Sequence, residues 1–491
     1  MKFPLNLSSN VGVLPSYNHG LKSCLRTKTK KLFSTNVLEE YPIRSHKLQN
    51  GVTFVTDPRP GHFAGLGVYV NGGSRYETKE LTGISHFMDR LAFQGTKYTS
   101  VEDMKTKLEI LGGNYMCATS RESMIYQTAV FNEDFKKMAK LLSETVLYPE
   151  ISEEDLMHYR DSINYENTEL WTKPDALLGE LAHVTAFKNN TLGNSLLCPP
   201  EKASSVTADS IQRYLEHFYH PKNMTLAYSG ISENVARDVT EEFYGHLPKS
   251  NQPSLLKEPS HYTGGSMSIN KKEAPVVPYQ QEFSHVLIAM EGLSVTDPDI
   301  YALACLQFLL GGGGSFSAGG PGKGMYSRLY LDVLNQYPWV ETCMAFNHSY
   351  TDSGLFGIFI TILDDASHLA APIIIRELCS IAMSISKEEA ERAKNQLRSS
   401  LLMNLESRMI SLEDLGRQVQ TQNGVYISPK EMCERIESLT PADLTRVARR
   451  VLTGNVNNPG KGTGKPTILT HGNEDQIGDI FALCKKAGLG K

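Results

Sequence analysis

Apolar side chains alternate with small or polar ones in several short segments of the chain, and they recur at helical spacing in the segments that follow. The alternation predicts β-strands over 65–70, 124–130 and 355–362. The helical spacing predicts helices over 135–146 and 370–381. Because strand pairs are followed by helix pairs, we predict an α+β fold in which helices pack on one face of a mostly antiparallel sheet.

Several segments of the first half recur in the same order in the second half. The matching pairs, offset by 234, 233 and 242 positions, are 151–170 with 385–404, 207–213 with 440–446, and 225–230 with 467–472. In the first pair, Ser152 and Ser386 stand at N-cap positions, and Asp155 and Glu389 follow three positions later to close a capping box. The repetition predicts two homologous tandem domains.

The repeats and the composition between them predict the domain boundaries. The N-terminal domain is expected over 40–246 and the C-terminal domain over 275–491. Residues 247–274 between them are rich in Pro, Ser and Gly, which is the composition of a linker.

Composition excludes several classes of protein. With 40% hydrophobic residues, 21% charged residues and a formal charge of −5, the chain is neither disordered nor a nucleic-acid-binding tail. No uninterrupted apolar run reaches the roughly 18 residues of a membrane span, so no transmembrane segment is expected. The eight cysteines include no C-x-x-C pair, which argues against a zinc ribbon and a disulfide framework.

The N-terminus has a composition of its own. Residues 1–33 contain no Asp or Glu and six Lys or Arg among Ser, Thr and scattered Leu. This composition predicts a mitochondrial transit peptide over 1–33, although an ordinary basic tail would share it. Removing the segment takes away a charge of +6 and leaves a body of charge −11, which favours basic partners.

Residues 83–96 contain the first candidate for chemistry. They predict a helix that ends at Gly95 and places His86 and Arg90 one turn apart, with Asp89 between them. Taken alone, an ordinary amphipathic helix with His86 in the core would show the same pattern.

The same segment resembles the pitrilysin-like zinc peptidases, whose inverted motif H-x-x-E-H supplies two histidine ligands and a glutamate base. The resemblance implies that His86 and, on a helix further along the chain, Glu166 stand at ligand positions. Arg90 then replaces the second histidine and Asp89 the base. Because a guanidinium cannot ligate zinc, we expect a degenerate site with no metal and no catalytic residue, in which Arg90 pairs with Glu166 or Asp89.

The second candidate is the segment 311–324, in which Gly fills eight of fourteen positions. This density predicts a mobile loop without regular structure, because glycine frees the backbone to reach positive φ. The segment fits no phosphate-binding loop, since Ser317 stands where a P-loop needs Gly and Gly324 where it needs Ser or Thr. A low-complexity linker is the alternative.

Together with 395–406 and 413–418, this loop resembles the α subunits of mitochondrial processing peptidases almost letter for letter. In that family the α subunit lacks the zinc site, pairs with a catalytic β subunit and uses the loop to bind presequences. The substrate-binding residues that the resemblance implies are Gly311, Gly312, Gly313, Gly314, Ser315, Phe316, Gly319, Gly320, Gly322, Lys323 and Gly324.

The resemblance implies a non-catalytic subunit of the mitochondrial matrix that binds basic presequence peptides and no nucleic acid. No cofactor is expected in this chain, and zinc is expected in the partner β subunit. The run from Lys31 to Ser34 resembles the sites that such peptidases cut, which predicts cleavage between Phe33 and Ser34.

Two other functions are alternatives. The first is a stand-alone active metallopeptidase with an altered site, against which Arg90 argues. The second is a core structural subunit of the respiratory ubiquinol–cytochrome c reductase, which resembles the same duplicated fold and also has degenerate sites. The glycine-rich loop argues against this second function, because a structural scaffold has no need of such a segment.

Overall fold

The computed structural model describes residues 41–249, 258–270, 282–314, 325–422, 424–472 and 477–491. The predicted transit peptide over 1–33, with its cleavage between Phe33 and Ser34, lies outside the described residues. The loop positions 315–324 lie outside them as well.

The first half of the chain folds around one mixed sheet. Its strands are β1 (Arg44–Lys47), β2 (Thr53–Asp57), β3 (Phe63–Asn71), β4 (Asn114–Thr119), β5 (Ser123–Phe131) and β6 (Met224–Ser229). Its helices are α1 (Ile84–Leu91), α2 (Val101–Leu111), α3 (Phe135–Leu147), α4 (Glu153–Leu170), α5 (Pro174–Ala186), α6 (Pro200–Ala203), α7 (Ala208–Phe218) and α8 (Glu233–Tyr244). The strand order is β1-β2-β6-β3-β5-β4, and all neighbours are antiparallel except β2 and β6.

The second half builds a second sheet of the same kind. Its strands are β7 (Gly265–Asn270), β8 (Phe283–Glu291), β9 (Gly312–Gly314), β10 (Val340–Ser349), β11 (Gly354–Leu363) and β12 (Thr467–Gly472). Its helices are α9 (Ile300–Leu310), the π-helical segment Leu329–Leu334, α10 (Ala370–Met383), α11 (Lys387–Glu406), α12 (Arg408–Thr421), α13 (Pro429–Glu437), α14 (Pro441–Leu452) and α15 (Ile480–Ala487). The order is β7-β12-β8-β11-β10-β9, and only β7 and β12 run parallel.

The two sheets share a core of five strands with the same order and directions. The order β2-β6-β3-β5-β4 in the first sheet matches β7-β12-β8-β11-β10 in the second. The remaining strands lie at opposite edges, with β1 beside β2 and β9 beside β10. The α+β prediction with two homologous, mostly antiparallel sheets is therefore confirmed.

Hydrogen bonds at the helix starts confirm the predicted N-caps. Ser152 and Asp155 form a reciprocal capping box at α4, and Ser386 and Glu389 form the matching box at α11. The prediction that the helix of residues 83–96 continues to Gly95 is wrong, because α1 ends at Leu91. The chain leaves the helix at Ala92, whose ψ is 141°.

Each sheet is also covered on its other face by a helix from the opposite half. Leu412, Leu415 and Val419 of α12 pack on β2, β3, β5 and β6 of the first sheet. Leu178 and Ala182 of α5 pack on β8, β11 and β12 of the second sheet. The halves are thus joined by a reciprocal exchange of one helix each.

Residues 265–270, inside the stretch predicted as a linker, form β7. Alternate side chains, Met267 and Ile269, pack against the apolar cluster beneath α5. The pairing with β12 needs only backbone hydrogen bonds, so a Gly/Ser-rich composition does not prevent it.

Among the described residues, one helical stretch, Asp364–Met383, could span a membrane by length and composition alone. Half of its apolar window is buried inside the protein. Ile374, Leu378 and Ile381 belong to the core of the second half, so packing in that core accounts for the apolar character of the stretch.

Candidate functional site

The candidate site of the first half begins at the N-terminus of α1. Gly83 precedes the helix with φ of 85°, a left-handed conformation that favours glycine. A Cβ there would lie 2.4 Å from Cys198 Sγ, so the glycine also allows the segment at Cys198 to approach the helix. The buried carboxylate of Glu77 accepts the N–H groups of Gly83 and Ser85, each at 2.7 Å, which fixes the start of α1.

His86 is 1% exposed and is held between two partners. Its Nδ1 accepts the Cys198 N–H at 3.1 Å, so its Nε2 carries the proton and donates to Glu166 Oε2 at 2.9 Å. Burial lowers the pKa of His86 and outweighs the opposing influence of Glu166. The ring is therefore a neutral donor.

Arg90 closes the site from the next turn of α1. Its Nε and Nη2 donate to Glu166 Oε1 and Oε2 at 2.7 and 2.9 Å, and its Nη1 lies 3.8 Å from Asp89 Oδ1. This two-pronged pairing confirms the predicted ion pair. The Arg90 side chain is 39% exposed and that of Glu166 25%, so the pair lies at the rim rather than in the core.

The pKa values of the two carboxylates beside Arg90, Glu166 and Asp89, shift in opposite directions. Burial opposes ionisation of Glu166, but hydrogen bonds from Arg90 and His86 outweigh it, so the pKa of Glu166 is lowered. Burial raises the pKa of Asp89, whose Oδ2 accepts the Thr119 N–H of β4 at 3.3 Å. Asp89 therefore accepts its hydrogen bond from the adjacent strand β4.

These residues do not fit a zinc ion. A catalytic zinc ion needs three protein ligands and an open position, whereas both oxygens of Glu166 already bind Arg90, and His86 donates to one of them. Across the described part of the chain, no group of three or more His, Cys, Asp and Glu is placed to hold a metal ion.

The glycine-rich segment begins with regular structure. The prediction of no regular structure over 311–324 is wrong for Gly312–Gly314, which form β9 and pair with β10. Gly311 and Gly312 have φ of 59° and 96°, and a Cβ on Gly312 would lie 2.0 Å from Cys343 O. Backbone pairing needs no side chain, and here it requires that none be present.

The outer edge of β9 is bound by two hydroxyl groups. Ser327 Oγ accepts the Gly312 N–H at 3.2 Å, and the Tyr330 hydroxyl donates to Gly314 O at 3.4 Å. Both side chains are buried. The strand that leads into the loop is therefore fixed on both edges.

Arg328 fixes the chain on the other side of the loop. It donates to Glu389 Oε1 and Oε2 at 2.8 and 3.2 Å, and also to Ser380 Oγ and Ser384 O. Burial opposes ionisation of Glu389, but hydrogen bonds from Arg328 and from the Ser386 N–H lower the pKa of Glu389 to about 2. Arg328, which follows the loop positions 315–324, therefore binds the first turn of α11.

A cleft of about 1020 Å³ opens beside this anchor, between α9, β10 and α11. It is lined by Gln307, Phe308, Gly311, Gly312, Tyr326, Met344, Ala345, Glu388, Glu391, Arg392, Asn395, Gln396, Ser399, Ser400 and Met403. No pattern in the sequence predicts the Arg328–Glu389 pair or the contact of His86 with Cys198. The offset of 234 that aligns α4 with α11 could have indicated the cleft, because it aligns Ser400 with Glu166.

Two domain models of one peptidase family match the chain. Residues 53–200 match the insulinase family, peptidase family M16, and residues 205–397 match the inactive domain of peptidase M16. A relative from Schizosaccharomyces pombe named probable mitochondrial-processing peptidase subunit alpha is 74% identical over 94% of this chain and 92% of its own length.

Solved structures share the fold at low sequence identity. A protease from Helicobacter pylori has a TM-score of 0.74 at 17% identity, covering 88% of this chain and 100% of its own. A chain of complex III2 from Candida albicans has a TM-score of 0.73 at 18% identity, covering 91% of this chain and 100% of its own. By its identity to the fission-yeast relative over almost its whole length, the chain belongs to the α-subunit family of mitochondrial-processing peptidases within peptidase family M16.

Proposed function

We propose that the chain recognises presequences of imported precursors in the mitochondrial matrix, as the non-catalytic subunit of a heterodimeric zinc peptidase. The observation that carries this proposal is the pairing of Arg90 with both oxygens of Glu166, at the position where a peptidase of this family would hold its metal. A chain so built contributes substrate binding, while a β subunit contributes zinc and cleavage.

The glycine-rich segment 311–324 holds the presequence in this proposal. Its described start, Gly312–Gly314, is bound by Ser327 and Tyr330, and Arg328 on its other side binds Glu389. A backbone with few side chains can contact peptides of many sequences through main-chain hydrogen bonds. The charge of −11 on the chain without residues 1–33 attracts basic peptides at long range.

The alternative as a core subunit of the respiratory reductase has less support. The likeness to the Candida albicans complex III2 chain is a likeness of fold alone, at 18% identity. The 74% identical relative is named for the processing peptidase instead. A stand-alone metallopeptidase is disfavoured because Arg90 cannot ligate zinc.

A peptidase assay tests the proposal. The chain alone, the β subunit alone and their mixture are each incubated with a precursor protein. We expect cleavage at full rate only in the mixture. Cleavage by this chain alone would contradict the non-catalytic role, and recovery of the chain from mitochondria with respiratory-complex subunits instead of a β subunit would favour the alternative.

A loop variant tests where the presequence binds. Residues 315–324 are replaced by Gly-Ser-Gly, which keeps β9 and its partners and spans up to about 14 Å when extended. We expect the variant to form the heterodimer but to lose presequence binding. A matched control replaces 250–257, in the stretch predicted as a linker, by alternating Gly and Ser of the same length; if both variants process precursors at full rate, the loop does not hold the substrate.

A further inference from the structure

The cleft occupies the position in the second half that the Arg90–Glu166 site occupies in the first. In each half, one wall is the helix that follows the matching strand (α1 or α9), and the opposite wall is the long capped helix (α4 or α11). The offset that aligns these two long helices places Ser400 where Glu166 stands in the first half. The second half therefore carries a counterpart of the peptidase site, and in the residues that the structure describes no ion pair joins α9 to α11 across it.

The walls of this cleft differ in chemistry. Phe308, Met344, Ala345 and Tyr326 supply apolar surface from α9, β10 and the end of the loop. The facing side of α11 is polar, with amide and hydroxyl groups of Asn395, Gln396, Ser399 and Ser400. Such a combination suits a ligand with apolar side chains on one side and a hydrogen-bonding backbone on the other.

We propose that this cleft binds the apolar side chains of a basic presequence peptide, next to the glycine-rich segment. The inference rests on the proposed function and adds to it the part of the peptide that is bound and the place where it binds. Gly311 and Gly312 belong both to the cleft wall and to the fixed start of the loop, so a peptide held by the loop meets the cleft directly.

Glu388 brings a negative charge to one end of the cleft. Of the other charged residues of this wall, Glu391 accepts a hydrogen bond from Lys394 Nζ at 2.8 Å and Arg392 is a cation, so Glu388 is the group that a basic side chain of the occupant would meet. Residues 1–33 of this chain have the composition expected of the bound peptide, because they contain six Lys or Arg, no Asp or Glu and six Leu. A peptide of this composition brings both the charges and the apolar side chains that the cleft would receive.

The test uses a fluorescent peptide with the sequence of residues 1–33, which ends before the predicted cleavage bond. Its affinity for the heterodimer is measured by fluorescence anisotropy. Ser399→Tyr narrows the cleft from the exposed side of α11, and the matched control is Tyr165→Ser, the reverse change at the aligned position of α4. We expect Ser399→Tyr to weaken binding about tenfold or more, since it excludes a buried apolar side chain, and Tyr165→Ser to leave binding unchanged.

A second peptide, in which every Leu of 1–33 is replaced by Gln, completes a double-mutant cycle. If the cleft binds leucines, this peptide binds wild type about tenfold more weakly, but Ser399→Tyr weakens its binding no further. Independent effects of the two changes would overturn the proposal, as would equal losses in Ser399→Tyr and Tyr165→Ser. Loss of the heterodimer in Ser399→Tyr, seen by size-exclusion chromatography, would assign the cleft to the β subunit instead.

The same measurements separate the cleft from the function on which it depends. If the Gly-Ser-Gly loop variant loses the peptide while Ser399→Tyr keeps it, presequence recognition stands and the cleft proposal fails. If wild-type heterodimer binds neither peptide, both proposals fail.

Discussion

The two halves of the molecule contain the same place between a helix that follows a central strand and the long capped helix, α1 and α4 in the first half and α9 and α11 in the second. We call this place the corner, and the two halves differ in what fills it. In the first half, Arg90 spans from α1 to Glu166 on α4 and fills the corner with an ion pair. In the second half, α9 and α11 pack against each other without an ion pair between them in the described residues, β9 is added along the edge of β10, and a cleft of about 1020 Å³ lies beside them. The two copies of a duplicated fold thus differ at this place, where one is filled by an ion pair and the other has a cleft.

The exchanged helices differ in a similar way. Gly416 of α12 lies so close to the first sheet that a Cβ would be 2.0 Å from the Tyr69 ring, whereas Gly179 of α5 has no atom within 4 Å of its Cβ position. Tyr69 cannot swing aside, because its hydroxyl donates to Leu412 O and accepts from Gln127. Of these two positions, Gly416 is thus the one at which the helix approaches its sheet closely, whereas Gly179 faces open space.

The largest change should come from reopening the filled corner with Arg90→His. This substitution removes the cation from Glu166 and restores a second imidazole one turn from His86, which gives the ligand set of a zinc site. We expect zinc content, measured by mass spectrometry after chelator-free purification, to rise from well below one to about one ion per chain.

Arg90→Asn serves as the matched control, because it removes the guanidinium without adding a ligand. Its zinc content should stay at the wild-type level. If Arg90→His also binds no zinc, the first corner differs from an active site in more than one residue. One zinc ion per wild-type chain would show that Arg90 does not keep metal out of the first half.

The next largest effect concerns the exchanged helices. Gly416→Ala should destabilise the protein by about 2–3 kcal/mol, because the added methyl overlaps the fixed Tyr69 ring. Gly179→Ala should instead stabilise it by about 0.5–1 kcal/mol, since the helix gains a better former and nothing is displaced. Urea unfolding of both variants measures the difference, and equal effects of the two would show that the helices are packed alike.

The sequence alone predicts those features of the two halves that depend on local patterns. The strands, the duplication and the capping boxes at Ser152 and Ser386 follow from spacing within short windows. The Arg90–Glu166 pair followed from a resemblance that places two distant segments together. The exchange of α5 and α12 was not predicted, because apolar periodicity can say which face of a helix is buried but not which sheet buries it.

The glycine-rich segment shows a second limit of the sequence. Its composition predicts freedom of the backbone, and Gly312–Gly314 use that freedom to pair with β10 at close range. The hydroxyls of Ser327 and Tyr330 that bind the strand from outside come from beyond the loop, so no local pattern links them to it.

A smaller effect is expected when the ion pair of the first corner is removed by Arg90→Met. A fully buried pair would cost about 3–5 kcal/mol to break, but the Arg90 side chain is 39% exposed. We therefore expect a loss of about 1–2 kcal/mol at pH 7. Arg213→Met is the control, because Arg213 is 52% exposed and pairs with exposed carboxylates, so its loss should stay within about 0.5 kcal/mol.

The cost of Arg90→Met should depend on pH. The pKa of Glu166 is lowered in the folded protein, so the pair contributes its stability above the pKa of an unfolded glutamate, about 4.3. That contribution is lost as pH falls through the lowered pKa of the folded state. The difference in unfolding free energy between wild type and variant should thus shrink from pH 7 to pH 3, and a constant difference would contradict the ion-pair account.

The smallest effect separates the charge of the cleft from the charge of the whole chain. Glu154 and Glu388 are the second residues of α4 and α11, at positions that the duplication aligns, and both are exposed. Reversing either charge, in Glu154→Lys or Glu388→Lys, places a cation at a helix N-terminus and should cost about 0.3–1 kcal/mol in both halves. The two variants therefore match in stability and in net charge.

They should differ in their binding of the peptide 1–33. Because both raise the net charge by the same amount, the long-range attraction between chain and peptide falls equally in both. Only Glu388 lies at the cleft, so Glu388→Lys should weaken binding about two- to fivefold more than Glu154→Lys. This difference should fade as salt rises, since an exposed charge is screened beyond about 8 Å at physiological ionic strength. Equal weakening by the two variants would mean that the peptide responds to the field of the whole acidic chain and not to the open corner of the second half.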